Sequence, residues 1–176
     1  MIFRKKIAVI AVVALASTIL LALYLLTPLC QIAPWKSGEE ILNEFCKDNH
    51  DLKESELIDI LIVNSEKVCP VVCKKIKDKN MPHRRYAILF LGHERYLPAK
   101  AVLLEILSDE TESELYRADA LISLYQLDQS EGKKYAAKYQ ARSDHLGDTA
   151  KSVLKGESCF PSRRSFWNAL SHQEPE

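Results

Sequence analysis

Positions 7–26 read IAVIAVVALASTILLALYLL, an apolar run of twenty residues without a charge. At ~1.5 Å rise per residue a helix of that length spans ~30 Å, the thickness of a bilayer's hydrocarbon core. The run therefore predicts a transmembrane helix over 7–27, behind a cytoplasmic basic N-terminus over 1–6 that contains Arg4, Lys5 and Lys6. The first basic residue after the run is Lys36, so the bias of positive charge toward the cytoplasmic side carries the rest of the chain across the membrane. A cleaved secretory signal is the competing reading. It requires a shorter run and a small-x-small cleavage site, whereas Thr27-Pro28-Leu29-Cys30 has no small residue just before the cysteine. That sequence also disfavours lipidation of Cys30.

Beyond a linker over 28–36 the apolar positions recur at helical spacing. Trp35 within that linker suits either the bilayer interface or packing against the first helix of the soluble part. Ser37 with Glu39 and Glu40 opens a helix over 37–48, whose stripe is Ile41, Leu42, Phe45 and Cys46. The β-branched run within 54–63 would suit a strand, but a lone strand has nothing to pair with, so a helix is predicted. In the next segment Val68, Val71, Val72 and Ile76 share one face, and Pro70 is acceptable in a first helical turn. Further helices are predicted from Pro82 onward, over 98–108, over 111–127 with Thr111 and Glu114 as a capping box, over 130–141, and over 145–155 with Gly156 as its stop. Phe160, Phe166, Trp167 and Leu170 form a closing helix, and 172–176 a flexible tail. The fold class is all-α, with one helical domain over 37–171.

Part of this domain rhymes with itself. Arg84-x-x-Ala87-x-x-x-Leu91-Gly92 returns as Arg117-x-x-Ala120-x-x-x-Leu124-Tyr125, a shift of 117 − 84 = 33 residues, and each copy precedes a second apolar helical pattern. Ala150-x-x-x-Leu154 echoes the motif without its arginine. A fixed period of this length marks stacked repeats; the alanine lets neighbouring helices approach while leucine fills the seam. The motif resembles the HEAT-like repeat family, in particular the short bacterial kind also found in phycobilisome lyases. The resemblance implies an α-solenoid of antiparallel helix pairs, with a concave ridge formed by second-helix residues such as Lys100, Glu105, Lys133 and Lys138.

Charge adds one local feature. The chain has 24 basic and 24 acidic residues, so no global field draws it to nucleic acid. Lys74, Lys75, Lys77, Lys79, His83, Arg84 and Arg85 nevertheless crowd into twelve positions with Asp78 as their only acid. They make either a basic face for an acidic protein segment or lipid headgroups, or a solvated helix surface. In the second case Arg84, like Arg117, bonds an acid such as Asp119 or a helix-end carbonyl.

Of five cysteines, Cys30 lies at the membrane boundary, leaving Cys46, Cys69, Cys73 and Cys159. In an oxidising compartment these predict structural disulfides, with Cys46 joined to Cys69 or to Cys73. Buried free thiols are the alternative. His50, His83, His93, His145 and His172 are scattered singly, which argues against a metal site. Gly-x-Ser-x-Gly and glycine-rich phosphate loops are absent, and no cofactor is expected. The expected protein is a single-pass membrane protein, facing the periplasm of a bacterium, that acts as a non-catalytic adaptor or scaffold for a protein partner. A chromophore-lyase-like or other enzyme and an envelope component without a stable partner are the rivals.

Overall fold

The structure, a computed structural model, describes residues 15–19, 34–47 and 57–157 together with Ala169. The chain divides into one unit over 1–33 and another over 34–176. In the first unit residues 15–19 are helical and exposed, and the Thr18 hydroxyl donates to the Leu15 carbonyl at 2.8 Å. No helix among the described residues is long and apolar enough to cross a membrane. The rest of the segment expected to span the bilayer, 7–27, lies outside the described residues.

Among the described residues the second unit is all-α and has no strand. It begins with α1 (Gly38–Phe45), where the Ser37 hydroxyl accepts from the Glu40 N–H and the Glu40 carboxylate accepts from the Ser37 N–H at 2.7 Å. This reciprocal cap satisfies two of the donors that a helix start leaves open. Next comes α2 (Asp59–Ile62), a single turn in place of the longer helix expected over 54–63. In α3 (Ser65–Lys75) Pro70 lies past the first turn, unlike the expectation. The Glu66 carbonyl four residues back loses its intrahelical donor; both residues are exposed, so water can take its place.

The motif-bearing helices follow as α4 (Arg84–His93), α5 (Lys100–Ser108) after a 3₁₀ turn at Leu97–Ala99, α6 (Glu114–Leu127), α7 (Gln129–Tyr139) and α8 (His145–Lys155). Two start signals sit elsewhere than expected. Pro82 precedes α4, whose first cap is His83 in the left-handed region at φ 52°. Ser113 rather than Thr111 caps α6, its hydroxyl accepting from the Leu115 N–H at 3.3 Å. Thr111 instead donates to the Asp109 carboxylate at 2.7 Å, a local bond that a hydroxyl makes readily in a turn. Asp128 and Asp144 cap α7 and α8 through the N–H groups of Glu131 and Gly147. Gly156 ends α8 at φ 75°, a conformation open to a residue without Cβ. The closing helix over Phe160–Leu170 lies outside the described residues except Ala169, which is helical and buried.

The core explains the motif. Ala87, Leu91, Ala120 and Leu124 are all fully buried, as are Ile88, Phe90 and Leu121 between them. Helix α6 packs against α4, α5, α7 and α8, and α7 against α8. At ~1.5–3 kcal/mol for each fully buried large aliphatic or Phe side chain, this seam is the main source of stability in the segment. The first three helices form a second cluster, centred on Ile41, Phe45, Leu61, Val68 and Val72. Gly38 makes their approach possible: a Cβ there would lie 2.3 Å from the Lys67 carbonyl oxygen.

Candidate interaction surface

The repeated arginines do the same thing twice. Arg84 Nε donates to the Ile76 carbonyl at the end of α3 at 2.7 Å, and Arg117 Nε donates to the Leu107 carbonyl in the last turn of α5 at 2.9 Å. A helix leaves its last carbonyls without intrahelical donors, and its C-terminal end carries partial negative charge. A guanidinium placed there satisfies the hydrogen bond and the field together. Each guanidinium also lies over a tyrosine ring, Arg84 over Tyr116 at 4.9 Å and Arg117 over Tyr139 at 5.5 Å. Arg84 additionally forms a buried ion pair with Glu112 at 2.7 Å. With exposures of 2% and 5%, Arg84 and Arg117 belong to the core, so Arg84 is not part of an accessible basic face. Sequence reasoning missed Glu112, Tyr116 and Tyr139, since no spacing announces a contact that loops create.

The remaining basic residues of that cluster are mostly paired. Lys75 meets Asp78 at 2.9 Å and Lys79 meets Asp109 at 2.7 Å, each bond holding the carboxyl below its usual range. Arg85 on α4 donates twice to Asp119 on α6, at 2.7 and 3.3 Å. Burial nevertheless leaves the Asp119 carboxyl above its ordinary value, the arginine offsetting only part of the desolvation. His83 turns inward, its ring edge-on to Phe45 at 5.6 Å and its Nε2 3.3 Å from the Lys47 carbonyl. Lys74 is exposed and has no charge partner among the described residues.

The second-helix residues lie on α5 and α7, and ion pairs link α5 to the turn after α3 on one side and to the start of α7 on the other. Lys77 meets Glu105 at 2.8 Å, and Lys100 meets Glu131 at 3.1 Å and Asp128 at 3.5 Å. The hydrogen bond from Lys100 depresses the Glu131 carboxyl, and the same bond raises the Lys100 ammonium. Lys138 and Lys134 stand over the Tyr135 ring at 4.5 and 5.7 Å. Lys133 is exposed and, among the described residues, without a charge partner. The structure thus places Lys77, Lys100 and Glu105 in bridges between helices, while Lys74 and Lys133 are left facing solvent.

Cys46, Cys69 and Cys73 are free thiols, so the expected bridge from Cys46 to Cys69 or Cys73 is not made; Cys159 lies outside the described residues. Cys46 and Cys73 approach the Pro82 and Pro98 carbonyls at 4.0 and 3.9 Å. Burial pushes the Cys69 thiol up to about 12, and Glu94 and Cys73 add to the shift. Such a thiol is a packing group and a poor nucleophile. Among the described residues no three His, Cys, Asp or Glu side chains are grouped to hold a metal ion. Comparison with family models, with curated proteins and with solved structures gives no match.

Proposed function

We propose that this chain is a membrane-anchored adaptor whose helical domain is a short HEAT-like stack, held on the extracytoplasmic side of a bacterial inner membrane and binding a protein partner without catalysis. The observation that carries the reading is the recurrence of one bond: two arginines 33 residues apart each seize the end of the preceding helix. A bond of that kind, repeated together with the fully buried alanine and leucine of the motif, is what one supersecondary unit stacked on its own copy requires. The succession of α4, α6 and α8, each packed on the next, supports the same geometry. The α3, α5 and α7 ridge supplies the partner surface, and tethering raises the partner's effective concentration near the bilayer. The anchor rests on the uncharged run over 7–26.

Photo-crosslinking in intact cells tests this. A crosslinking side chain at Lys133 or Lys74 is expected to give one discrete protein adduct, and the same group at Arg85, on the α4 face, is expected to give none. Adducts spread over many proteins, or absent from both ridge positions, defeat the adaptor reading. Labelling of a Lys133→Cys variant by a membrane-impermeant maleimide tests the topology, and protection until the cells are lysed would reverse it.

A further inference from the structure

Where the chain enters the helical domain, it is fastened. The Lys67 ammonium on α3 donates to the Pro34 carbonyl at 2.9 Å and to the Lys36 carbonyl at 3.2 Å, bracketing Trp35. The Lys36 ammonium is in turn paired with Glu44 on α1, and Gly38 brings α1 against the Lys67 carbonyl. The segment is therefore held to α3 through Lys67 and to the last turn of α1 through Glu44. Trp35 projects from it with 65% of its surface exposed. A clamped backbone that holds out a large amphipathic ring has already paid the ordering cost of presenting it.

We infer that Trp35 is a docking residue for the bilayer surface, seating the helical domain at the level of the lipid headgroups; this rests on the membrane-anchored reading above. Trp35 is nine steps along the chain from position 26, and an extended chain covers at most ~3.5 Å per residue. An apolar run seated in the bilayer thus keeps Trp35 within ~30 Å of the hydrocarbon edge. Indole is the side chain whose apolar body and N–H donor suit that boundary, which is why tryptophan gathers there. Isolated exposed apolar residues are common on soluble surfaces, but this one combines the boundary position with a backbone pinned by three charged side chains. The occupant is the phospholipid interface, and no protein groove is needed to receive the ring.

The full chain carrying Trp167→Phe, in which Trp35 is the sole tryptophan, is reconstituted into phosphatidylcholine vesicles containing lipids brominated at shallow or deep acyl positions. The protein is expected to float with the vesicles, with Trp35 emission blue-shifted and quenched more by the shallow label than by the deep one. Adding Lys67→Met is expected to leave flotation intact and to remove most of the quenching. Flotation with the emission of a water-exposed indole, unquenched by either label, overturns the docking while the anchor stands. Quenching that survives Lys67→Met overturns the clamp as its cause. Failure to float overturns the anchored reading, and the docking with it.

Discussion

Gly92 on α4 and Ser123 on α6 lie so close that a Cβ on the glycine would sit 2.5 Å from the Ser123 Cα. One helical turn away the Ser123 hydroxyl donates to the Ile88 carbonyl at 2.9 Å. The two helices therefore touch backbone to backbone, and the fully buried Ser123 completes the crossing with a bond that a larger side chain would prevent. Gly132 gives α7 the same freedom against Tyr125. The Tyr125 position matches Gly92 in the repeat, so one copy uses its glycine to receive the next helix while the other copy is itself received.

Gly92→Ala is expected to destabilise the domain. Helix propensity favours alanine by ~1 kcal/mol, but overpacking a well-filled contact costs ~1–3 kcal/mol. The obstructing atoms at Gly92 include backbone, which no rotamer change can move. A clash with fixed backbone falls in the upper part of that range, ~2–3 kcal/mol, so overpacking wins and leaves a net loss of ~1–2 kcal/mol by urea unfolding. Gly156→Ala meets nothing nearer than the Tyr125 hydroxyl at 3.8 Å and is disfavoured only by its positive φ, so its loss is ~1 kcal/mol. A Gly92→Ala domain as stable as the parent contradicts the close approach.

Arg85 and Asp119 are unequal partners, since the arginine side chain is 44% exposed and the carboxylate 3%. Arg85→Ala strands a buried charge and is expected to cost ~2–3 kcal/mol near neutral pH. Asp119→Asn leaves an arginine that water can reach, and its cost is smaller. Burial raises the Asp119 carboxyl above 3.8 in the folded state. A raised acid gives its stability in full below ~4 and loses it as pH rises through the folded value. Relative to the parent, Asp119→Asn therefore gains ground as pH rises above ~4. Denaturant midpoints across that range check the sign, and a trend in the opposite direction excludes the desolvated carboxylate.

Much of the helical domain was legible because its signals are local. Ser37 with Glu40, the fully buried alanines and leucines of the motif, and Gly156 each act within a few residues of themselves. The misplaced starts have a different cause. Thr111 and Ser113 are both good caps, and what selects Ser113 is that Thr111 is engaged by Asp109 and by Lys79 from a distant loop. The candidate surface was less legible still. Lys77, Lys100 and Arg85 read as available charges because their partners Glu105, Glu131 and Asp119 lie 28 to 34 residues away. Only the stacking of helices brings them together.

The thiols give a direct check on the packing around α3. In the native protein Cys46 and Cys73 are half-buried while Cys69 is buried and raised to about 12. Alkylation is expected to label Cys46 and Cys73 well before Cys69, whose modification waits for unfolding. Mass mapping of the alkylated peptides reads the order. Early reaction at Cys69, or a bridge to Cys46 or Cys73 in material alkylated without reductant, contradicts the environment described.

Arg84 and Arg117 occupy matching places, yet their removal is not expected to cost the same. Arg117→Ala leaves the Leu107 carbonyl within 3.4 Å of the Tyr139 hydroxyl, so the orphaned acceptor keeps a donor and the loss is ~1–3 kcal/mol. Arg84→Ala leaves the Ile76 carbonyl without its guanidinium and also strands Glu112, whose side chain is 6% exposed. An uncompensated buried charge costs ~3–5 kcal/mol. Arg84→Lys restores a charge but not the planar fork that reaches carbonyl and carboxylate at once, so it recovers only part of the loss. Glu112→Gln separates the two contributions at Arg84. In that background the neutral amide needs no counter-charge, and Arg84→Ala should fall toward the cost of Arg117→Ala, staying above it because the Ile76 carbonyl lacks the second donor that Tyr139 gives Leu107. Equal losses for the two arginines with Glu112 intact would mean that the buried ion pair contributes nothing and that the carbonyl bond alone sets the value of the motif.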